Sequence, residues 1–331
     1  MKIQFNDSFE EIISVENLLE AWTEFIKGKH AKQDVLDFET HLIDEVQILH
    51  AELLHKTYRH SAYIPFNISD PKPRNIHKAS VRDRLLHHAL HRKLYSFFDR
   101  TFIFDSFSCR EGKGTHKALD RFAEFGRKVS RNNTRTCWIL KCDIRKFFAN
   151  IDHAILLSIL DMYVLDKNIL WLFRVIIESF ETRPGVGLPL GNLTSQLFVN
   201  VYMNEFDQYM KHALKAQQYI RYADDFVVLS EDKVWLESIL PQMQRFLKDQ
   251  LHLQLHPQKV SIATLASGVD FLGWVHFPKH RVLRTVTKKR MLRRITQHPT
   301  QATFQSYYGM LQHGNAEKII KEVRNAEWIM L

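Results

Sequence analysis

Apolar residues recur at helical spacing near the start of the chain. Ile12, Val15, Leu19, Trp22 and Ile26 share one face and predict an amphipathic helix over residues 8–27, with Ser8 and Glu11 spaced for a capping box and Gly28 placed to close the end. A second helix is predicted over about 33–57, and Pro65, Pro71 and Pro73 then read as a loop. Leu85, Leu86, Leu90, Leu94 and Phe97 form the buried stripe of a helix over 80–99, and the polar, basic stretch 127–135 reads as an exposed turn. TCWILKCDI (136–144) is an apolar run of strand length that ends at an aspartate. Helices follow at about 153–163 and 167–180, then a Pro- and Gly-rich loop, RPGVGLPLGN (183–192), and a long helix over 193–214. QYIRYADDFVVLS (218–230) reads as two strands joined by a tight acidic turn. A helix over 232–250, strands at 259–264 and 270–284, and a basic helical end from Thr287 complete the pattern, with no internal repeat.

The 331 residues are 45% hydrophobic, enough to bury a large core, and carry a net charge of +9. That excess suits a polyanionic partner such as nucleic acid, or else a solvated basic surface. Cys109, Cys137 and Cys142 form no two-residue-gap pair, which excludes a zinc knuckle and fits a reducing cytoplasm. The acidic start MKIQFNDSFEEII and the lack of a long apolar run give the expectation of a cytoplasmic protein with no signal peptide and no membrane span. His87 and His91 have the four-residue spacing of zinc ligands, but without a third ligand they read as core histidines. No G-x-S-x-G nucleophile elbow occurs.

The acidic turn carries the chemistry. Adjacent carboxylates such as Asp224 and Asp225 repel by about 4 kcal/mol at roughly 4 Å and an effective dielectric near ~20. A divalent cation with hard oxygen ligands would offset this; an exposed Asp-Asp turn is the plain alternative. Asp143 shifts the balance, because it ends a buried strand where an unpaired charge is costly. Side by side, the two elements would gather three carboxylates around two ions about 3.5–4 Å apart, with the Ile144 carbonyl completing one shell.

Seven motifs in order over residues 72–284 resemble the reverse transcriptase family. YADD (222–225) matches its palm motif C, CDIRKFFANIDH (142–153) resembles motif A, and GLPLGNLTSQLFVNVYMNEFD (187–207) resembles motif B. KPRNIHKASVRDRLLHHAL (72–90) and FSCREGKGTHKAL (107–119) resemble the fingers motifs, LHPQKVSI (255–262) motif D, and FLGWVHF (271–277) the primer-grip hairpin. The resemblance implies an α+β right-hand polymerase. Its N-terminal helical extension would span 1–57, fingers and an antiparallel palm packed on helices 58–285, and a helical thumb 286–331. It implies RNA-directed DNA synthesis with two Mg2+ ions (Mn2+ as substitute) on the catalytic Asp143, Asp224 and Asp225, acting on template RNA, RNA/DNA duplex and dNTPs.

Other roles follow from the same likeness. Phe148 would sit under the incoming sugar and exclude a 2′-hydroxyl; core packing is its plain reading, as for Phe147. Lys72, Arg74, Arg82 and Arg84 would contact template or triphosphate oxygens, with Arg74 and Arg84 the preferred nucleotide ligands; Leu190 and Gly191 would border the same nucleotide. Arg110 and Lys113, beside Gly112 and Gly114, would approach the template backbone, with Gln196, Gly273 and Trp274 also on template or primer. Lys259 would protonate the leaving pyrophosphate, with Lys248 a competing candidate. Arg290, Arg293 and Arg294 share a helical face that would meet the duplex backbone, or simply water.

Motif B reads Leu190-Gly191 and Ser195-Gln196 where the family more often has Gln-Gly and Ser-Pro. This LGNLTSQ form resembles the enzymes of diversity-generating retroelements, which misincorporate opposite adenine and work with a small, basic, oligomeric accessory protein. The N-terminal helices would pack on the palm or bind that partner. Alternatives are a group II intron-like or defence-associated reverse transcriptase, a non-catalytic RNA-binding protein on a polymerase scaffold, and a metal-dependent nuclease.

Overall fold

The computed structural model describes residues 3–68 and 73–330, with side chains to Trp328. Lys72 and Pro71 lie outside the described residues. Helices α1 (Phe9–Ile13), α2 (Val15–Phe25), α3 (Gln33–Glu39) and α4 (Leu42–Leu54) lead into strands β1 (Ile64–Ile68) and β2 (Arg74–Lys78) and helices α5 (Val81–Asp99) and α6 (Thr115–Val129). Strand β3 (Trp138–Asp143) precedes α7 (His153–Asp161), α8 (Lys167–Glu178) and α9 (Leu193–Gln208). Strands β4 (Tyr219–Tyr222) and β5 (Asp225–Ser230) precede α10 (Lys233–Leu251), which is followed by β6 (Ser261–Thr264), β7 (Val269–Phe271), β8 (Trp274–His276) and β9 (Arg281–Leu283). Helices α11 (Thr285–Gln297), α12 (Gln301–Leu311) and α13 (Glu317–Met330) end the chain. The named strands pair antiparallel, so the α+β class is as expected.

The chain divides into two compact units made of interleaved segments. One comprises residues 1–104, 144–213 and 244–254. Its helices α2, α5 and α9 bury Leu18, Trp22, Phe25, Leu86, Leu90, Phe98, Phe198 and Tyr202. The single helix expected over 8–27 is two, because Ser14 adopts extended backbone and its hydroxyl accepts from Asn17 N at 3.1 Å, restarting the helix. The Ser8–Glu11 capping box is present. The helix expected over 33–57 is likewise broken at Thr40 and His41. The expected Pro-rich loop contains a hairpin, with Pro65 opposite His77. A two-stranded sheet has only edges, so a strand without one N–H is tolerated there.

The other unit comprises residues 105–143, 214–243 and 255–331. Its central sheet has the order β4-β5-β3-β6, and a second sheet the order β7-β8-β9. Phe122, Ile139, Ile220, Val227, Leu229, Phe271 and Trp274 share one core with Met291 and Phe304 of the terminal helices. The strand expected over 270–284 is three short strands. Phe271 pairs with Trp274 around Leu272 and Gly273, both at positive φ (+50° and +85°), the mirror-image turn that suits a twisted hairpin. The basic stretch 127–135 turns through Arg131, Asn132 and Asn133, all at positive φ, after α6 has run three residues into it.

Candidate active site

The sheet β4-β5-β3 holds all three aspartates within one unit. Strand β3 buries Ile139, Leu140 and Cys142, and its last residue, Asp143, lies directly opposite Asp225, the first of β5. Tyr222 and Asp225 pair across the β4–β5 turn, which Ala223 makes at φ +53°. A left-handed alanine costs about 1–2 kcal/mol. Arg221, 0% exposed, braces the turn from inside: its guanidinium donates to the Ala223 carbonyl at 3.3 Å and to Ser106 Oγ at 3.0 Å. Thr115, at the start of α6, donates to the Tyr222 hydroxyl at 3.1 Å.

Burial raises the Asp225 carboxyl to about 6 in spite of Lys141, and the charges of Asp224 and Asp143 push the same way. Lys141, two residues before Asp143 on the same strand face, donates to the Asp270 carbonyl at 2.5 Å. Lys259 donates to both Asp143 oxygens, at 2.9 and 2.8 Å. Among the described residues, no three His, Cys, Asp or Glu side chains are gathered closely enough to cage a metal ion as they stand. The donors fit a hard divalent cation all the same: two opposed carboxylates, with a cation already seated on one of them. Ile144, whose carbonyl is the further candidate ligand, is buried beside them in sequence.

The remaining candidates are placed variously. The Phe148 ring is half-buried against Phe147, and its carbonyl accepts from Leu188 N at 2.8 Å, tying motif A to motif B. The Leu190 carbonyl accepts from His77 N at 3.0 Å, and a Cβ on Gly191 would lie 2.7 Å from Ile76 Cγ2, so the motif B loop is seated on β2. Gln196 is half-buried beside the same hairpin, in a cleft shared with Lys29 and Ile76. Arg74 is exposed on β2.

Arg84 instead pairs with Asp34 at 2.5 Å, over the Phe25 ring, and Lys78 meets the same carboxylate at 2.7 Å. Arg82 pairs with Glu52. In the free protein both arginines tie α5 to the N-terminal helices. Arg110 donates to the Ser106 carbonyl at 3.0 Å, and the Lys113 ammonium lies over Phe107. Trp274 is 3% exposed, a core residue whose ring cannot stack on a base. Gly273 makes the turn and its carbonyl accepts from Arg284 N at 3.1 Å. Arg293 and Arg294 are exposed and Arg290 half-exposed on α11, which buries Met291 and Ile295 on its other side. Lys248 is exposed on α10. His87 stacks on His60, and His91 on Tyr95. Arg221, Lys141, Ser106 and Thr115 were not found by sequence reasoning; a charged residue inside the apolar run of β4 was the available signal for Arg221.

The profile of the family described as reverse transcriptase (RNA-dependent DNA polymerase) matches residues 69–276. The chain belongs to the reverse transcriptase family. Protein YkfC of Escherichia coli is 25% identical over 305 residues, covering 80% of this chain and 77% of that protein. The group II intron-encoded protein LtrA of Lactococcus lactis is 22% identical over 279 residues, and the chain spans 44% of its length. This reverse transcriptase also shares its fold with solved telomerases. The apo enzyme of Candida tropicalis matches with a TM-score of 0.53 at 11% identity, over 82% of this chain and 57% of that one. Telomerase of Candida albicans in complex with a fragment of telomeric RNA matches with a TM-score of 0.50 at 11% identity, over 73% and 51%. Among the described residues no helix is long and apolar enough to cross a membrane, and all three cysteines are free.

Proposed function

We propose that the chain copies an RNA template into DNA at the Asp143–Asp225 pair. The opposition of these two carboxylates at adjoining strand ends, with Asp224 in the turn between β4 and β5, is the observation that carries the reading. Two divalent ions, magnesium or manganese, would supply the charge that activates a primer hydroxyl and steadies the triphosphate. Asp143 and Asp225 would hold them with Asp224 and the Ile144 carbonyl. The primer 3′-hydroxyl gives its proton to solvent as its oxygen forms a bond to the α-phosphorus, the bond to pyrophosphate breaks, and Lys259 gives the leaving group a proton. The partners are template RNA, the RNA/DNA duplex and dNTPs, as the telomerase bound to RNA suggests by analogy. The functional division is an extension (1–57), fingers and palm (58–285) and thumb (286–331).

Motif B supports a finer assignment to a diversity-generating retroelement, with an accessory protein as partner. Leu190 cannot make the hydrogen bond that a glutamine makes near the nascent base pair, so one check on fit is missing. The likeness to LtrA favours a second reading, a group II intron-like enzyme. Extension of a DNA primer on RNA with dNTPs and Mg2+, followed by sequencing, separates them. Errors concentrated opposite adenine support the retroelement, and an even spectrum supports the second reading. Full activity in Asp224→Asn would remove the polymerase reading altogether.

A further inference from the structure

We infer that Lys259 is a built-in competitor of the catalytic metal: in the free protein its ammonium holds the Asp143 carboxylate, and a divalent cation enters only by displacing it. The inference rests on the polymerase reading above and adds a gate to that site.

The ammonium sits where a ligand-bound cation is wanted. It contacts both Asp143 oxygens, at 2.9 and 2.8 Å, so a metal ion approaching either oxygen meets the ammonium's positive charge. The seat is built into the backbone. Asp143 O, at the end of β3, accepts from His256 N at 2.7 Å, and Lys259 N donates back to His256 O at 2.9 Å. The turn that carries Lys259 is thus docked on the strand end that carries Asp143. One main-chain bond docks that turn on the Asp143 segment and a second, within the turn, fixes where Lys259 leaves it.

Lys259 is also the member of the site able to leave. Its side chain is 44% exposed, against 9% for Asp143. The ammonium gains solvation by swinging out, whereas the carboxylate cannot follow. Lys141 differs: its ammonium is bound to the Asp270 carbonyl of β7. One lysine of the site is therefore fixed and the other exchangeable.

Two consequences follow. The nucleotide-free enzyme binds divalent cations weakly, because each must replace an ammonium already paid for in desolvation. A nucleotide triphosphate reverses the balance, since its phosphates offer the displaced ammonium a new anion while its own oxygens join the metal shell. The same exchange releases Lys259, still tethered beside the site, just when a proton donor to pyrophosphate is needed. Before that it is held by Asp143.

Manganese binding to the full-length protein, read from the loss of the free Mn2+ electron paramagnetic resonance signal, tests this without reference to activity. With no nucleic acid and no nucleotide, Lys259→Met should bind Mn2+ at least about tenfold more tightly than wild type, and Lys259→Arg about as wild type does. Primed template and dNTP should narrow the gap between Lys259→Met and wild type. In the wild-type protein, the NMR signal of 13C-methylated Lys259 should shift as Mg2+ is added, which checks the exchange even if Lys259→Met does not fold. Equal, measurable Mn2+ affinities, or a Lys259 signal that ignores Mg2+, would overturn the gate alone. No Mn2+ binding by any of the proteins, even with primed template and nucleotide, would overturn the metal reading beneath it and the gate with it.

Discussion

Arg221 and Ser106 meet through a 3.0 Å hydrogen bond from guanidinium to hydroxyl, behind the turn that presents Asp224 and Asp225. The main chains join there too, with Arg221 N donating to Asp105 O and Phe107 N to Arg221 O. The segment before the second fingers motif thus joins the edge of the sheet that carries the three aspartates. Arg221→Leu would leave the Ser106 hydroxyl and the Ala223 carbonyl without this donor. It should cost about 2–4 kcal/mol in urea unfolding. Single-nucleotide addition should slow at least tenfold with primer–template affinity little changed, because the turn loses its brace. Ser106→Ala should cost about 1 kcal/mol and slow the chemistry less. Wild-type kinetics in Arg221→Leu would show that the turn does not need the arginine.

Gly314, in the turn between α12 and α13, packs against the ring of Trp274. A Cβ there would lie 2.0 Å from the indole, well inside contact distance. Gly314→Ala should therefore destabilise the protein by about 1–3 kcal/mol as the turn lifts off β8. The urea midpoint measures it, and an unchanged midpoint would mean that the turn yields freely. Primer–template affinity should fall in parallel, since the turn links two helices of the proposed thumb.

His87 is buried, and burial is the main reason its imidazole falls to about 3, with His60 adding to the shift. The folded state then resists a proton that the unfolded chain accepts near its usual value. The histidine's contribution is intact above pH ~6.5 and is lost as pH falls toward the folded value. At pH ~4 the loss is on the order of 3 kcal/mol from this residue. His87→Phe should flatten the acid limb of a stability–pH curve measured by denaturant titration. An acid limb as steep as wild type would place the sensitivity in other groups.

Leu190 is held by its carbonyl to His77 N, so a substitution of its side chain leaves that anchor in place. Leu190→Gln should lower misincorporation opposite adenine several-fold without loss of overall extension. Deep sequencing of copied RNA reads this directly. An unchanged error spectrum would separate Leu190 from fidelity.

Much of the fold was legible in the sequence because its signals are local. The capping box at Ser8, the stripe of α5 and the apolar runs of β3 and β5 each depend on neighbours within a few residues, and each lies where the pattern put it. Breaks were missed where a polar side chain competes with the helix, as at Ser14, and where a hairpin tolerates proline, as at Pro65. Periodicity does not register such choices.

By itself, the sequence determined which residue types stand at the strand ends and turns, and from seven ordered motifs, the family. Only the tertiary structure decided what those side chains face. The sequence offered Arg84 as a nucleotide ligand, and the structure sets Asp34 within 2.5 Å of it; it offered Trp274 as a template or primer residue, and the structure encloses its ring in the core. Lys259 met Asp143 through a register between β3 and the 256–259 turn. Such pairings join residues distant in the chain, and charge and burial have no local signature until the sheet brings them together.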